Sequence, residues 1–395
     1  MRVLIVISAV GQLYGGPSKC VLELAHSLGE YGHTVDVVTT NKNDTQKLDV
    51  SLEQWLNQGS YRIQYFPYWD LSDFRCISWS LTKWLLKHLN NYDLVHTNAI
   101  FSYPALPAYV LCNIYKIPYV VTPHGMLEPW ALTYKSWKKR FIFEFFEKPA
   151  LQKAFAIHAL AIPESQGIQK LDLNTSIAVI PNGIKKEDFI KLENPDFFYT
   201  NYYELKDKKI ILFLGRIDPK KGLDLLAEAF SSVHIRFPET HLVIAGPDNI
   251  GFLSNAKSYF KANSCLEAVT FTGMLSGRMK YAVLAAADIY VAPSYSEGFS
   301  ISVLEGMASG LPCVITTGCN FPEAKTHGIA YVVETQAKAI ADALKDCISK
   351  PKESELMGQK AREFILNHYI WKSIAEQMTA LYQNAIQMDV NPLNI

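Results

Sequence analysis

Two glutamates eight positions apart carry the most distinctive chemistry in the chain. They lie in Pro293-Ser-Tyr-Ser-Glu297-Gly-Phe-Ser-Ile-Ser-Val-Leu-Glu305. The apolar run Asp288 to Ala292 before them predicts a buried strand. Ile301 to Ser309 predicts a helix, with Leu304 and Met307 three apart. The proline, three serines and glycine between these elements predict a loop that holds Glu297, while Glu305 falls inside the helix. A loop that ends at a helix start turns backbone N–H groups toward an anion. Carboxylates beside it accept hydrogen bonds from vicinal hydroxyls. An anion with hydroxyls describes a nucleotide sugar: diphosphate, ribose and hexose. The plainer reading makes Glu297 a helix cap and Glu305 a solvated residue. The loop's place at the carboxyl end of a strand, where open parallel sheets bind ligands, favours the site.

Cations stand at a second strand end. Ile210 to Leu214 predicts a strand, Leu223 to Phe230 opens a helix, and Gly215-Arg216-Ile217-Asp218-Pro219-Lys220-Lys221-Gly222 joins them. The guanidinium of Arg216 can fork onto phosphate oxygens and Lys221 can act as a point charge. Paired loop cations are often only solvated, but the strand-end position favours phosphate binding. A third candidate is His124, in Pro123-His124-Gly125 after the strand Pro118 to Thr122. It could donate to a bound hydroxyl; taken alone, a structural histidine bonded to backbone is the stronger reading.

The elements that must position these groups follow an alternating pattern. Val3 to Ile7 predicts a strand, Ser8 to Pro17 a loop with Gly11, Gly15 and Gly16, Ser18 to Leu28 a helix, and Val35 to Thr39 a second strand. This is a β-α-β unit of Rossmann type. It lacks GxGxxG, and Val38-Thr39-Thr40-Asn41 has no acid for a ribose, which argues against a nicotinamide site. Gly15-Gly16 would let an anion approach the helix start; a plain tight turn is equally open. Further strands are expected at 93–96, 156–162, 177–180, 241–245, 269–272 and 312–316, and an amphipathic helix at 371–386. Residues 41–80 resist placement, and Trp69, Asp70 and Trp79 have no assigned role. From Lys135 to Lys148, Trp137, Phe141 and Phe145 recur every four positions beside Lys135, Lys138, Lys139 and Arg140. That helix could meet anionic lipid or a lipid-phosphate acceptor. A core-facing aromatic stripe with solvated lysines is the favoured reading.

The chain has 395 residues, 49% hydrophobic and 19% charged, which suits two soluble domains. Basic and acidic residues balance at 38 each, so charge does not point to nucleic acid. Seven cysteines without CxxC pairs or zinc spacing suggest reduced thiols in a cytoplasmic protein. The start is too short in apolar residues for a signal peptide, and no apolar run reaches the roughly 18 residues of a spanning helix.

Taken in order, Gly15-Gly16-Pro17, Pro123-His124-Gly125, Pro181-Asn182-Gly183, Gly215-Arg216-Ile217 with Lys221-Gly222, and Ser296-Glu297-Gly298-Phe299 through Glu305 resemble glycosyltransferase family 4 over nearly the whole chain. The two glutamates with seven residues between them are the most specific signal. The resemblance implies an α/β GT-B fold: two Rossmann-like domains with parallel sheets facing across a cleft, and a carboxy-terminal helix returning to the amino-terminal domain. Residues 1–190 would be the acceptor domain, 191–204 a linker, 205–371 the donor domain, and about 372–395 the returning helix. It implies a retaining hexosyltransferase, with a nucleotide sugar (UDP-glucose or a related UDP-hexose) as donor and a saccharide or lipid-linked saccharide as acceptor in polysaccharide biosynthesis. Arg216 and Lys221 match the pair on the donor diphosphate, Glu305 the ribose carboxylate, and Glu297 the carboxylate beside the sugar hydroxyls. The backbone of Phe299, Ser300 and Ile301 would meet sugar and phosphate. His124 matches the active-site histidine, and Gly16 would admit phosphate or acceptor. No metal is implied, and no nucleic-acid partner; peripheral contact at the inner face of the plasma membrane is an expectation. Two positions depart from the common pattern: Ser300 stands where many members have Gly, and Ile184-Lys185 where many have Val-Asp. The alternatives are a non-catalytic nucleotide-sugar-binding protein and, on the same fold class, an NAD-dependent dehydrogenase.

Overall fold

Runs rich in Val, Ile and Leu are buried on both faces and therefore pair as parallel strands covered by helices. A computed structural model describes residues 1–11, 16–43, 46–71, 74–127 and 140–390. The chain divides into two units, Met1–Asn182 with the segment from Trp371 onward, and Gly183–Ile370.

The first unit holds strands β1 (Arg2–Ala9), β2 (Thr34–Thr40), β3 (Trp55–Asn57), β4 (Tyr61–Phe66), β5 (Leu94–Asn98), β6 (Tyr119–Thr122), β7 (Ala156–Ala159) and β8 (Ile177–Val179). They lie in the order β8-β7-β6-β5-β1-β2-β4-β3, all parallel except β3 against β4. Strand order reverses between β1 and β5, so their carboxyl ends frame the crevice where such sheets take ligands. Helices α1 (Gly16–Glu30), α2 (Trp79–His88), α3 (Ala105–Tyr115) and α4 (Ile162–Gln169) connect strands. Helix α1 buries Cys20, Val21, Leu24, Ala25 and Leu28, the face its spacing predicts.

The second unit holds β9 (Lys209–Leu214), β10 (Thr240–Ala245), β11 (Val269–Gly273), β12 (Ile289–Ala292), β13 (Cys313–Thr316) and β14 (Tyr331–Val333). Their order, β11-β10-β9-β12-β13-β14, is the doubly wound arrangement, with its reversal between β9 and β12. Helices α5 (Leu223–Arg236), α6 (Gly277–Ala286), α7 (Ile301–Ala308), α8 (Ala337–Ser349) and α9 (Pro351–His368) cover the sheet. Strand β14 was not expected from the sequence; its three residues are too few to show a period.

The last helix, α10 (Trp371–Val390), packs with the first unit. Its Ile374, Met378 and Tyr382 are buried. His33 Nε2 meets Thr379 Oγ1 at 2.9 Å. Deeper, a file of hydrogen bonds crosses three strands: Tyr382 OH to His96 Nδ1 at 2.7 Å, His96 Nε2 to Thr122 Oγ1 at 2.6 Å, Thr122 Oγ1 to His158 Nδ1 at 2.8 Å, and His158 Nε2 to the Ile180 carbonyl at 2.7 Å. The carbonyl can only accept, so His158 Nε2 carries its proton and every donor upstream is fixed in turn, ending at the Tyr382 hydroxyl. All members are satisfied with both imidazoles neutral. Burial pushes His158 down to about 4 and His96 well below its usual range.

Three expectations need correction. The stretch 191–204 is not a linker, and the first unit ends at 182 rather than 190. Phe189, Phe198 and Leu205 are fully buried in the second unit's core, Phe198 stacks on Tyr202, and Arg278 pairs with Glu193 at 3.0 Å. The charged residues that suggested a boundary alternate with aromatic anchors that fix the segment. The aromatic stripe is also not core-facing: Phe141 and Phe145 are 55% and 65% exposed, Phe146 is exposed, and Phe143 is buried. A π turn at Phe143–Glu147 widens the helix and shifts its phase by one residue, which spacing on a 3.6-residue period cannot foresee. Lys135, Trp137, Lys138 and Lys139 lie outside the described residues. The strand expected at 156–162 stops at Ala159, because Ile162-Pro163 starts α4. In the 41–80 stretch, Asp70 has a structural role, pairing with Lys42 and accepting the Cys76 N–H at 3.0 Å; Trp69 and Trp79 are exposed. All seven cysteines are buried. Among the described residues no helix is long and apolar enough to cross a membrane.

Candidate functional site

The reversal point of the second sheet gathers most of the expected residues. The loops leaving β9 and β12 lie against each other there. Gly222 makes this possible: its φ is +68°, and a Cβ would fall 2.1 Å from the Pro293 carbonyl oxygen. Asp218 caps the short turn Pro219–Lys221 by accepting the Lys220 N–H at 3.1 Å, and the Lys220 carbonyl accepts the Tyr295 N–H at 2.8 Å. This seats Lys221 so that its ammonium donates to Glu297 Oε1, which also accepts from Ser294 Oγ at 2.8 Å. The Glu297 backbone is fixed as well, its N–H on the Gly318 carbonyl at 2.8 Å and its carbonyl on Asn320 Nδ2.

Glu297 and Lys221 are both largely buried. Burial alone would raise the Glu297 carboxyl. The Lys221 and Lys220 charges and the hydrogen bonds from Lys221 and Ser294 outweigh it and hold the carboxyl below its usual range. Lys220 is moved the other way: burial lowers it, and like charges on Lys221 and Arg216 add to that, against partial relief from Glu297 and Asp218. Half-buried Arg216 makes no side-chain hydrogen bond or ion pair among the described residues. The loop therefore concentrates three cations with one guanidinium uncommitted, an arrangement suited to a polyanion.

Helix α7 begins beside this loop. Ser300 stands at its N-cap without a side-chain cap bond, so first-turn N–H groups remain for a ligand. The Ser300 hydroxyl lies 3.2 Å from Ser302 Oγ, which the Tyr290 hydroxyl also reaches at 2.9 Å. Phe299 packs edge-on to Phe321 and parallel to Tyr369, so its side chain anchors the loop while its backbone stays at the helix mouth. Glu305 is buried one turn in and accepts from Lys280 Nζ at 2.8 Å. Sequence reasoning missed Lys280 on α6: it lies 25 residues away from Glu305 and no local pattern marks it.

His124 and Gly16 belong to the first unit. Gly16 opens α1, and a Cβ there would meet nothing within 4 Å. Gly15 lies outside the described residues. His124 sits in a left-handed turn, φ +54°, followed by Gly125 at +75°. Its Nε2 is 3.0 Å from Asn98 Oδ1, and burial, with His158 nearby, lowers it to about 3. Two buried glutamates, neither marked by a motif, hold the adjacent turns. Glu164 accepts the Gly125 N–H at 2.7 Å and the Leu160 N–H at 2.6 Å. Glu147, raised to about 7 by burial, accepts the N–H of Phe101, itself at φ +56°. Among the described residues no cluster of three or more His, Cys, Asp or Glu side chains could hold a metal ion.

The chain is similar to mannosylfructose-phosphate synthase of Agrobacterium fabrum, 26% identical over 95% of this chain and 88% of that protein. It is also similar to alpha-monoglucosyldiacylglycerol synthase of Streptococcus pneumoniae, 26% identical over 95% and 85%. In structure it matches Anabaena HepE, solved with UDP and glucose, at a TM-score of 0.76 and 15% identity over 97% and 100% of the two chains; the fold is GT-B. The match to glycosyltransferases sets aside the non-catalytic and dehydrogenase alternatives. The family model of glycosyltransferase family 4 matches residues 14–188 and that of glycosyl transferases group 1 matches 201–364; the chain is an enzyme and belongs to glycosyltransferase family 4.

Proposed function

We propose that this glycosyltransferase moves a hexosyl unit from a nucleoside-diphosphate sugar to a saccharide or lipid-linked saccharide, with retention at the anomeric carbon, in polysaccharide biosynthesis. UDP-glucose or a related UDP-hexose is the first candidate donor. The observation that carries the reading is the Lys221–Glu297 pair set beside the uncommitted Arg216 at the reversal point of a parallel sheet. Breaking the anomeric C–O bond sends its electron pair to the diphosphate oxygen. Arg216, Lys221 and the first-turn N–H groups of α7 stabilise that charge. With these cations in place the reaction needs no resident metal. Glu297 and Glu305 take hydroxyls of sugar and ribose. The acceptor oxygen forms the new bond to the anomeric carbon, and its proton passes to an oxygen of the leaving phosphate.

Support for the acceptor classes comes from the two relatives, one named for a sugar phosphate product and one for a glycolipid. Exposed Phe141, Phe145 and Phe146 beside Arg140 suit a lipid-borne acceptor met at the inner face of the plasma membrane by a cytoplasmic enzyme.

The test is release of nucleoside diphosphate from UDP-, GDP- and ADP-hexoses, followed by the anomeric configuration of the product by NMR. Wild-type turnover by both Arg216→Ala and Glu297→Gln would remove the site; an inverted product would remove the retaining reaction.

A further inference from the structure

His124 is held by more than its own turn. Asn98, the last residue of β5, is buried, and its amide nitrogen donates to the His96 carbonyl at 3.4 Å. That contact orients the amide so that Oδ1, an acceptor only, faces His124 Nε2 at 3.0 Å. Nε2 therefore carries the ring proton, and the neutral ring leaves Nδ1 as a lone pair. Nδ1 has no partner among the described residues. The backbone is set separately. Glu164, at the third position of α4 with Pro163 before it, spans two chain segments with one carboxylate, the Gly125 and Leu160 N–H groups. It thus ties the turn after β6 to the turn after β7. A left-handed histidine is strained and persists only when its surroundings over-determine it. Here a carboxylate fixes the main chain and an amide fixes the ring.

We propose that Asn98 and Glu164 are positioning residues that make His124 a hydrogen-bond acceptor, presenting an unprotonated Nδ1 to a hydroxyl of the bound sugar. This reverses the donor role that a strand-end histidine suggests by itself. It rests on the reading of His124 as a substrate contact. An accepting nitrogen takes a ligand donor such as a hydroxyl and rejects a group that can only accept, such as a carboxylate or phosphate oxygen, so it suits a polyol better than an anion.

Two measurements separate the geometry from the function. Two-bond ¹H–¹⁵N spectra of free enzyme, with His124 assigned by its loss in His124→Gln, should show protonated Nε2 and bare Nδ1 at neutral pH. Asn98→Asp should turn the ring into an imidazolium, because the new carboxylate favours the charged form. Its kcat/KM should then fall by about 10², with the melting temperature of wild type nearly kept. Glu164→Gln loses one of two acceptors for backbone N–H groups and should lower kcat/KM without changing the tautomer. A bare Nε2 in wild type overturns the proposal even in an active enzyme. A correct tautomer together with wild-type kcat/KM in both variants also overturns it, by showing that the ring does not meet substrate. If wild type transfers no sugar at all, the functional reading fails while the tautomer remains decided by the spectrum.

Discussion

The two units share one architecture and solve opposite electrostatic problems at its reversal point. In the second, the strand ends carry charges: Lys221 and Glu297 hold each other, with Lys220 and the uncommitted Arg216 beside them. In the first, the strand ends carry neutral groups: His124, Asn98 and the His96–Thr122–His158 file, with buried glutamates spent on backbone N–H groups. The comparison teaches that a doubly wound sheet supplies only a crevice. The residues at its rim decide whether that crevice suits phosphate or uncharged hydroxyls.

Lys221→Ala should break the contrast most strongly. It strands a buried Glu297, at a cost of about 3–5 kcal/mol of stability. Transfer should drop about 10²–10³-fold. Calorimetry and nucleoside diphosphate release read the two losses. Phe198→Ala should cost the second unit about 3–5 kcal/mol, seen by denaturant unfolding, because the residue is wholly buried in that unit's core. A loss near zero would restore 191–204 to the status of a linker. Tyr382→Phe should destabilise the first unit by about 1–3 kcal/mol, since His96 Nδ1 would lose its donor inside the protein.

Acid should sharpen the same contrast more gently. His96, His124 and His158 all have folded values below that of a free histidine, so the unfolded chain binds protons first. Their contribution is complete above about pH 6.5 and declines as pH falls from there toward 4 and 3. Between pH 6.5 and 5.5 buried His96 and His158 should each cost about 1 kcal/mol. Melting curves across that range, with His158→Gln as control, would show it. A melting temperature unchanged down to pH 4 would contradict the burial of these rings as neutral species.

Much of the second unit's site was legible because its chemistry is written in consecutive residues. Strand, loop and helix start fall within one window around Glu297, and the same holds around Arg216 and Lys221. What stayed hidden depends on partners far along the chain. Lys280 meets Glu305 across 25 residues, and Glu164 meets Gly125 across 39. No period announces either. Glu147 was hidden by the π turn that carries it, and Phe198 by charged neighbours that resembled a linker. Asn98 was hidden because it looks like any polar residue at a strand end, until the amide is seen to choose between the two nitrogens of His124.

The return of α10 has a consequence for synthesis. The ribosome produces the strands of the first unit early, but Ile374, Met378 and Tyr382, which pack into that core, emerge only after the whole second unit. The middle of the polypeptide has its own complement of strands and helices once Ile370 has left the exit tunnel. Translation thus finishes the second unit before the first, and a ribosome that stalls short of Trp371 would release a chain whose His96 Nδ1 lacks its Tyr382 donor.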